Sequence, residues 1–340
     1  MAPDRDALVY PDAERVPVVY AAFETRDVDT LDDAADDPAI WINPLDPAAS
    51  LVLGTDKNAG VAVYDLWGNL KQFLPIGEPN NIDLRANVTL ADWQGDLAIA
   101  SNRLNDTISI LGVTADGIES LGEFPSALPE PYGACLGNLD NTVLVFVTYK
   151  NGMTLVHRLD SIGSGTVSQQ LVGQIAFSGQ LEGCVVDETN RVIHIGEEET
   201  GAWRSSLTFN NGLVFFGFPY AVDRVGSESG IVADVEGITI YERGGERYLI
   251  VSSQENDSYA VYNANGDNTF LGRFRIGAGD VLDGAQETDG IAATGVNLGP
   301  RFPVGIFVAQ DGFNAPAGSR QNFKVVDWRD IAEALGLSAR

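Results

Sequence analysis

The sequence predicts an all-β fold: a six-bladed β-propeller of four- to five-stranded antiparallel blades. Three observations point to it. Six apolar, β-like runs end on a polar or charged residue, at Lys57, Arg103, Lys150, Glu198, Gln254 and Asp311, spaced by 46, 47, 48, 56 and 57 residues. A second series precedes them: DDPAIW (36–41), NNIDLR (80–85), PYGACL (131–136), LEGCVV (181–186), VEGITI (235–240) and TDGIAA (288–293). Further β-rich stretches such as VAVYDL, ISILGV and YAVYNA follow the runs. Repeats of about 40–55 residues made of short strands encode propellers, one blade per repeat.

The blades are expected to start near residues 36, 80, 131, 181, 235 and 288, and 1–340 is read as one closed domain. The stretch VPVVYAAFE (16–24) has no blade of its own, so it is expected to complete the last blade beside NFKVVDW (322–328), hiding two open sheet edges. In a four-stranded blade the inner strand starts, and the second strand ends, on one face of the disc. Both series should therefore meet around one mouth of the central channel. By blade, this gives Asp36, Asp37 and Lys57; Asn81, Asp83 and Arg103; Tyr132 and Lys150; Glu182, Glu197 and Glu198; Asp234, Glu236 and Gln254; Asp289 and Asp311. Cations fall on blades one to three and carboxylates on blades four to six and one. Turn chemistry alone also places polar residues at strand ends.

Composition narrows the chemistry. A formal charge of −27 with pI near 4.2 argues against nucleic acid or anionic membrane as a partner, because phosphate surfaces need a basic footprint. No run of about 18 apolar residues occurs, so no membrane span is expected. No basic-then-apolar signal segment opens the chain. Cys135 and Cys184 lie in inner strands of neighbouring blades and are expected to be two buried thiols, although they are placed to approach each other. His157 and His194 both sit inside strand-like runs with no Arg-His-Gly element, and neither cysteine has an arginine six residues on. Phosphohistidine and cysteine-phosphatase chemistry thus lack their nucleophiles, and neither a phosphate-binding P-loop nor zinc spacing is present. Hard oxygen donors remain in quantity, a calcium set, unless these acids are merely solvated rims.

Along nearly its whole length, from about Ala22 to Ile331, the chain resembles the β-propeller phytases, or alkaline phytases. The segments are DAADDPAIWINP (33–44), TDKNAGVAVYDL (55–66), NNIDLR (80–85), ASNR (100–103), YG (132–133), EGCVVD (182–187), IGEEE (195–199), DVEGITIY (234–241), SSQENDSYAVY (252–262), ETDGI (287–291) and VAQDGFN (308–314). The resemblance implies a 3-phytase type phosphoric monoester hydrolase that uses several Ca2+ ions to release phosphate from myo-inositol hexakisphosphate. It assigns phosphate contacts to Lys57, Arg103, Tyr132 and Lys150. It assigns calcium ligation to Asp36 or Asp37, Glu182, Glu198, Asp234, Glu236, Gln254, Asp283, Asp289, Asp311 and Asn314, with Glu182, Glu198 and Glu236 counted as catalytic together with Lys57, Arg103, Tyr132 and Lys150. Asn151, Met153 and Phe313 stand where the family often carries acids, which weakens or removes one calcium subsite.

Charge suggests the mechanism. A polyphosphate reaches so acidic a protein only if cations bridge the two, and a calcium-bound water would attack phosphorus in line while Lys57, Arg103 and Lys150 hold the oxygens. A propeller hydrolase of another ester or lactone, or a non-catalytic binding propeller, remains the alternative. The expected protein is a monomer, secreted or periplasmic, whose export signal is not in this chain.

Overall fold

The second strands of the repeats are apolar on both faces: all six residues of Leu51–Asp56 are buried, as are all six of Ile306–Asp311. A sheet of this kind needs cover on both sides, and a ring of sheets standing face to face provides it. In the computed structural model, which describes residues 16–163, 166–315 and 320–339, six small antiparallel sheets form that ring.

Blade one comprises Ala35–Trp41, Leu51–Asp56, Gly60–Asp65 and Leu70–Pro75; blade two Pro79–Thr89, Gln94–Asn102, Thr107–Thr114 and Gly117–Pro125. Blade three comprises Pro131–Leu139, Thr142–Tyr149, Met153–Ser161 and Ser168–Ala176. Blade four has Leu181–Asp187, Val192–Glu197 and Gly201–Asn210, with Leu213–Phe216 and Tyr220–Arg224 both paired to its third strand. Blade five comprises Val235–Arg243, Glu246–Ser253, Ser258–Asn263 and Phe270–Gly277, and blade six Ile291–Thr294, Ile306–Asp311 and Asn322–Asp327. The core is divided accordingly. One apolar cluster fills each wedge between neighbouring blades, from Leu53 with Ala100 between blades one and two round to Val52 with Val308 between blades six and one. The wedge between blades five and six is closed by a helix, Trp328–Leu335, whose Trp328 stacks on Tyr241 at 3.7 Å.

The N-terminal segment closes the ring, but over two blades. Phe23–Glu24 pairs antiparallel with Lys324–Val325 and completes blade six as expected, whereas Val18–Tyr20 runs parallel to Arg275–Gly277 as a fifth strand of blade five. Both edges were open: blade six has three strands of its own, and blade five ends on Phe270–Gly277.

Cys135 and Cys184 are not thiols. They form a disulfide, with Cα atoms 5.7 Å apart, because the inner strands of blades three and four converge near the axis. The bond closes a loop of sequence separation 49. Replacing both cysteines with alanine should therefore lower stability by about 2–4 kcal/mol in denaturant unfolding. An unchanged midpoint would show that the bond contributes nothing.

Candidate active site

The mouth is built by a repeated irregularity. In blades one to five the inner strand carries a bulge in which two residues oppose one: Asp36-Asp37 face Thr55, Asn80-Asn81 face Ser101, Tyr132-Gly133 face Thr148, Glu182-Gly183 face Gly196, and Glu236-Gly237 face Ser252. In blade six Asp289-Gly290 hold the same place, with Gln310 N–H bonded to the Gly290 carbonyl at 3.0 Å. A bulge re-aims side chains. The first residue of each pair, Asp36, Asn80, Tyr132, Glu182, Glu236 or Asp289, joins the mouth.

The second residue is pressed against the next blade. A Cβ at Gly133 would lie 1.9 Å from the Glu182 carbonyl oxygen, at Gly183 2.2 Å from that of Glu236, and at Gly237 2.6 Å from that of Asp289. Hydroxyls opposite the bulges clasp the blades together. Thr55 Oγ1 accepts from Asp37 N–H (2.9 Å) and donates to the Asn80 carbonyl (2.7 Å); Ser101 Oγ accepts from Asn81 N–H (3.0 Å) and donates to the Tyr132 carbonyl (2.6 Å). Thr148 donates to the Glu182 carbonyl at 2.6 Å.

On one side stand acids. Glu182, Glu198 and Glu236 are buried, and each offers an oxygen within 4.8 Å of the others. Asn80 Nδ2 donates to Glu182 Oε1 (2.9 Å), Gln180 Nε2 to Glu198 Oε1 (2.6 Å), and Gln254 Nε2 to Asp289 Oδ1 (2.5 Å) and Glu236 Oε2 (3.4 Å). Burial, then repulsion from neighbouring carboxylates, holds the carboxyls of Glu182 and Glu236 well above the usual range. Burial, only partly offset by Lys57, pushes Asp36 up to about 7. Glu182 Oε2 and Asp36 Oδ1 are buried without a partner. Ligands 2.3–2.6 Å from a calcium ion stand at most roughly 5 Å apart across it, so this donor set fits a hard divalent cation. Asp234 adds charge beside it, its own carboxyl raised by burial and then by Glu199 and Glu255.

On the other side stand cations. Lys57 Nζ lies 2.7 Å from Asp33, 3.2 Å from Asp36 and 3.0 Å from Asp289; burial alone would lower its pKa, but these carboxylates outweigh it and raise it. Arg103 Nη2 donates to the Lys57 carbonyl at 3.1 Å, while its Nε is buried with no partner. The exposed Lys150 holds Nζ 4.1 Å over the Tyr132 ring. Burial and then Glu182, Asp36 and Glu236 raise the Tyr132 phenol, which places it against the acids.

Not every residue read from sequence joins this group. Asp37 turns from the mouth, and its Oδ2 accepts from Ile82 N–H at 3.0 Å. Asn81 and Asp83 bond the backbone of blade three at Ala134 and Leu136. Glu197 is held by Ser178, Gly179 N–H and Trp203. Asp283, Asp311 and Asn314 do come together, but around the fully buried Lys324, whose Nζ lies 2.5 Å from Asp283, 3.0 Å from Asp311, 3.1 Å from Asn314 and 2.6 Å from Glu24. The Asp311 contact is an ion pair without hydrogen-bond alignment. Of the departures from the family pattern, the exposed Asn151 side chain accepts from Met153 N–H at 3.1 Å and Phe313 is 41% exposed. Asn80, Gln180 and Lys324 were not singled out from sequence. Asn80 adjoins the chosen Asn81, and Lys324 sits in an apolar run that reads as core.

Comparison with known proteins shows the family. A family model described as "Phytase" matches residues 7–339. The chain is 37% identical over 331 residues to a protein named 3-phytase from Bacillus subtilis (strain 168), covering 94% of this chain and 85% of that one. Solved chains are more distant. A functionally unknown protein from Desulfotomaculum acetoxidans DSM 771 matches with TM-score 0.46 and 14% identity over 69% of this chain and 70% of its own. A Lactobacillus plantarum protein matches with TM-score 0.48 and 14% identity over 83% and 80%.

Two outcomes follow from the charges. Asp36, Glu182 and Glu236 have raised folded-state pKa values, so without metal the folded state binds more protons than the unfolded one; the contribution of Asp36 falls as pH rises from about 4 through about 7, and those of the two glutamates fall in the same direction. A bound cation favours the charged forms. The gap between melting temperatures in calcium and in chelator should widen over that window, and parallel melting curves would refute it. Lys324→Met should cost about 3–5 kcal/mol by stranding buried Asp311, and adding Asp311→Asn should recover part of the loss. Denaturant unfolding of the single and double variants measures this.

Proposed function

The chain belongs to the phytase family, and we propose that it releases inorganic phosphate from myo-inositol hexakisphosphate in a calcium-dependent reaction. The observation that carries this reading is the division of one mouth into buried Glu182, Glu198 and Glu236 and a facing row of Lys57, Arg103 and Lys150. On a chain of formal charge −27 a polyanion needs local cations to sit on, and this mouth gathers three beside acids able to hold more.

Glu182, Glu198 and Glu236, with Asp36, Asp234, Asp289 and the Gln254 amide beside them, would hold calcium. When bound, calcium supplies charge neutralisation and lowers the pKa of water it holds. Arg103 presents its guanidinium donors to phosphate oxygens in a planar pair that lysine does not reproduce. Lys57 has its donors on three carboxylates, of which the Asp33 side chain is 75% exposed, and that weak outer contact is the one an arriving phosphate takes over. Tyr132 fixes Lys150 from below through its ring and keeps its hydroxyl protonated as a donor. The displacement would be by water in line at phosphorus: the hydroxyls of Thr55, Ser101 and Thr148 are engaged in the bonds between blades, and the acids are the groups that would hold the cation. A second phosphate of the same substrate held nearby would orient the first.

A disulfide forms and persists in oxidising compartments, and among the described residues no helix is long and apolar enough to cross a membrane; we place the protein outside the cytoplasm, secreted or periplasmic.

Phosphate release from phytate should require calcium and stop in chelator. Arg103→Ala should cut turnover by about 10²–10³-fold with calcium affinity retained, whereas Glu236→Ala should weaken calcium binding and regain activity as calcium is raised. Activity should favour neutral to alkaline pH, where the ligands are ionised. Calcium-independent release, or full activity in Arg103→Ala, would remove this assignment.

A further inference from the structure

Five of the six bulge positions carry a role in the reading above, namely Asp36, Tyr132, Glu182, Glu236 and Asp289. The sixth, Asn80, does not. We infer that Asn80 belongs to the cation site: its amide nitrogen fixes Glu182, and its amide oxygen is a neutral donor to the bound cation. This rests on the calcium reading of the same mouth.

Asn80 is 1% exposed, and its carbonyl is clasped by Thr55 Oγ1 at 2.7 Å, so the backbone under the side chain is fixed. Nδ2 donates to Glu182 Oε1 at 2.9 Å across the mouth, from blade two to blade four. With a cation bound Glu182 is ionised and only accepts, so the nitrogen is the end that faces Glu182 Oε1, and Oδ1 lies on the other side of the amide. There Oδ1 is buried with no partner, as are Glu182 Oε2 and Asp36 Oδ1. A buried amide oxygen left unpaired is costly, and native structures seldom keep one without a reason. Its partner is not a phosphate oxygen, which is itself an acceptor. A cation satisfies it. The choice of an amide also suits the charge, because Asp36, Glu182, Glu236 and Asp289 already repel one another, and a neutral ligand adds an oxygen without a fifth negative charge.

Asn81 shows what a structural asparagine looks like at the same bulge. Its N–H goes to Ser101 and its Oδ1 accepts from Ala134 N–H at 3.3 Å. These contacts of Asn81 are internal to the fold, whereas Asn80 leaves one buried oxygen without a partner on a side chain that already touches the group of acids through Glu182.

The test is calorimetric titration of calcium chloride into the metal-stripped full chain, together with melting curves in chelator and in calcium. Asn80→Leu keeps the approximate volume but removes both the donor and the oxygen. It should weaken calcium binding by about 10–100-fold, the range for groups that orient metal ligands, and narrow the melting-temperature gap between calcium and chelator. If the leucine variant does not fold, Asn80→Ser is measured in its place with the same expectation. Calcium affinity equal to wild type in the folded variant overturns the assignment, whatever happens to the melting temperature. Failure of the wild-type chain to bind calcium overturns the calcium reading itself, so the two failures are distinguishable.

Discussion

The clasp between neighbouring blades is the constraint on which the rest of the mouth depends. A side-chain hydroxyl on the second strand of one blade takes the N–H exposed by the bulge beside it and gives its own proton to a carbonyl of the next blade, as Thr55 and Ser101 do. These bonds are short, buried and repeated, and each fixes the backbone from which a mouth side chain projects. Glycine is part of the same device: at Gly133 any larger residue would strike the Glu182 carbonyl that Thr148 holds, and at Gly183 and Gly237 it would strike the Glu236 and Asp289 carbonyls of the next blade. Blades three to six therefore place one chemically free position directly before one that is sterically closed, while Asp37 and Asn81 hold the second place in blades one and two.

On that rigid frame the protein tolerates an arrangement that opposes folding. Burying several carboxylates within a few ångströms of one another raises their pKa values, and only Lys57 and Arg103 lie close enough among them to offset part of the repulsion at Asp36. At the edge of the ring Lys324 plays a different part, a fully buried ammonium surrounded by Glu24, Asp283, Asp311 and Asn314. Neither cluster is neutral: in the second, one ammonium stands against the three carboxylates of Glu24, Asp283 and Asp311, and burial still pushes Asp311 up to about 6. What differs is the arrangement, since Lys324 stands at the centre of its acids, whereas Glu182, Glu198 and Glu236 bring oxygens within 4.8 Å of one another.

The repeat made the six blades legible, because spacing and strand alternation survive in sequence whatever the loops do. The side chains at the mouth were legible where charge marked them, as at Lys57, Arg103 and Glu236. Where the bulge changed the register by one residue, alternation misled: Asn81 and Asp83 looked like the mouth residues of blade two, and Asn80 is the one that arrives. Choosing between Asp36 and Asp37 needed the same information. The sequence placed the two cysteines in inner strands of neighbouring blades but favoured buried thiols, because spacing alone does not say that those strands converge to a Cα separation of 5.7 Å. The N-terminal segment was read as one strand, yet the step at Ala21-Ala22, with Ala22 N–H bonded to the Val325 carbonyl, splits it between two blades.

The Cys135–Cys184 bond falls between blades three and four, which is also where the mouth changes sign, from Tyr132 and Lys150 to Glu182 and Glu198. Mechanically, a closed ring under outward electrostatic pressure opens at its weakest seam. Here the seam joining the two halves of opposite charge is covalent, while the seam at blades six and one relies on the N-terminal strand and hydrogen bonds. The inner strands carrying Tyr132 and Glu182 are thereby tied covalently a few residues from those side chains, and the span between the cationic and the acidic group has a fixed gauge at that seam.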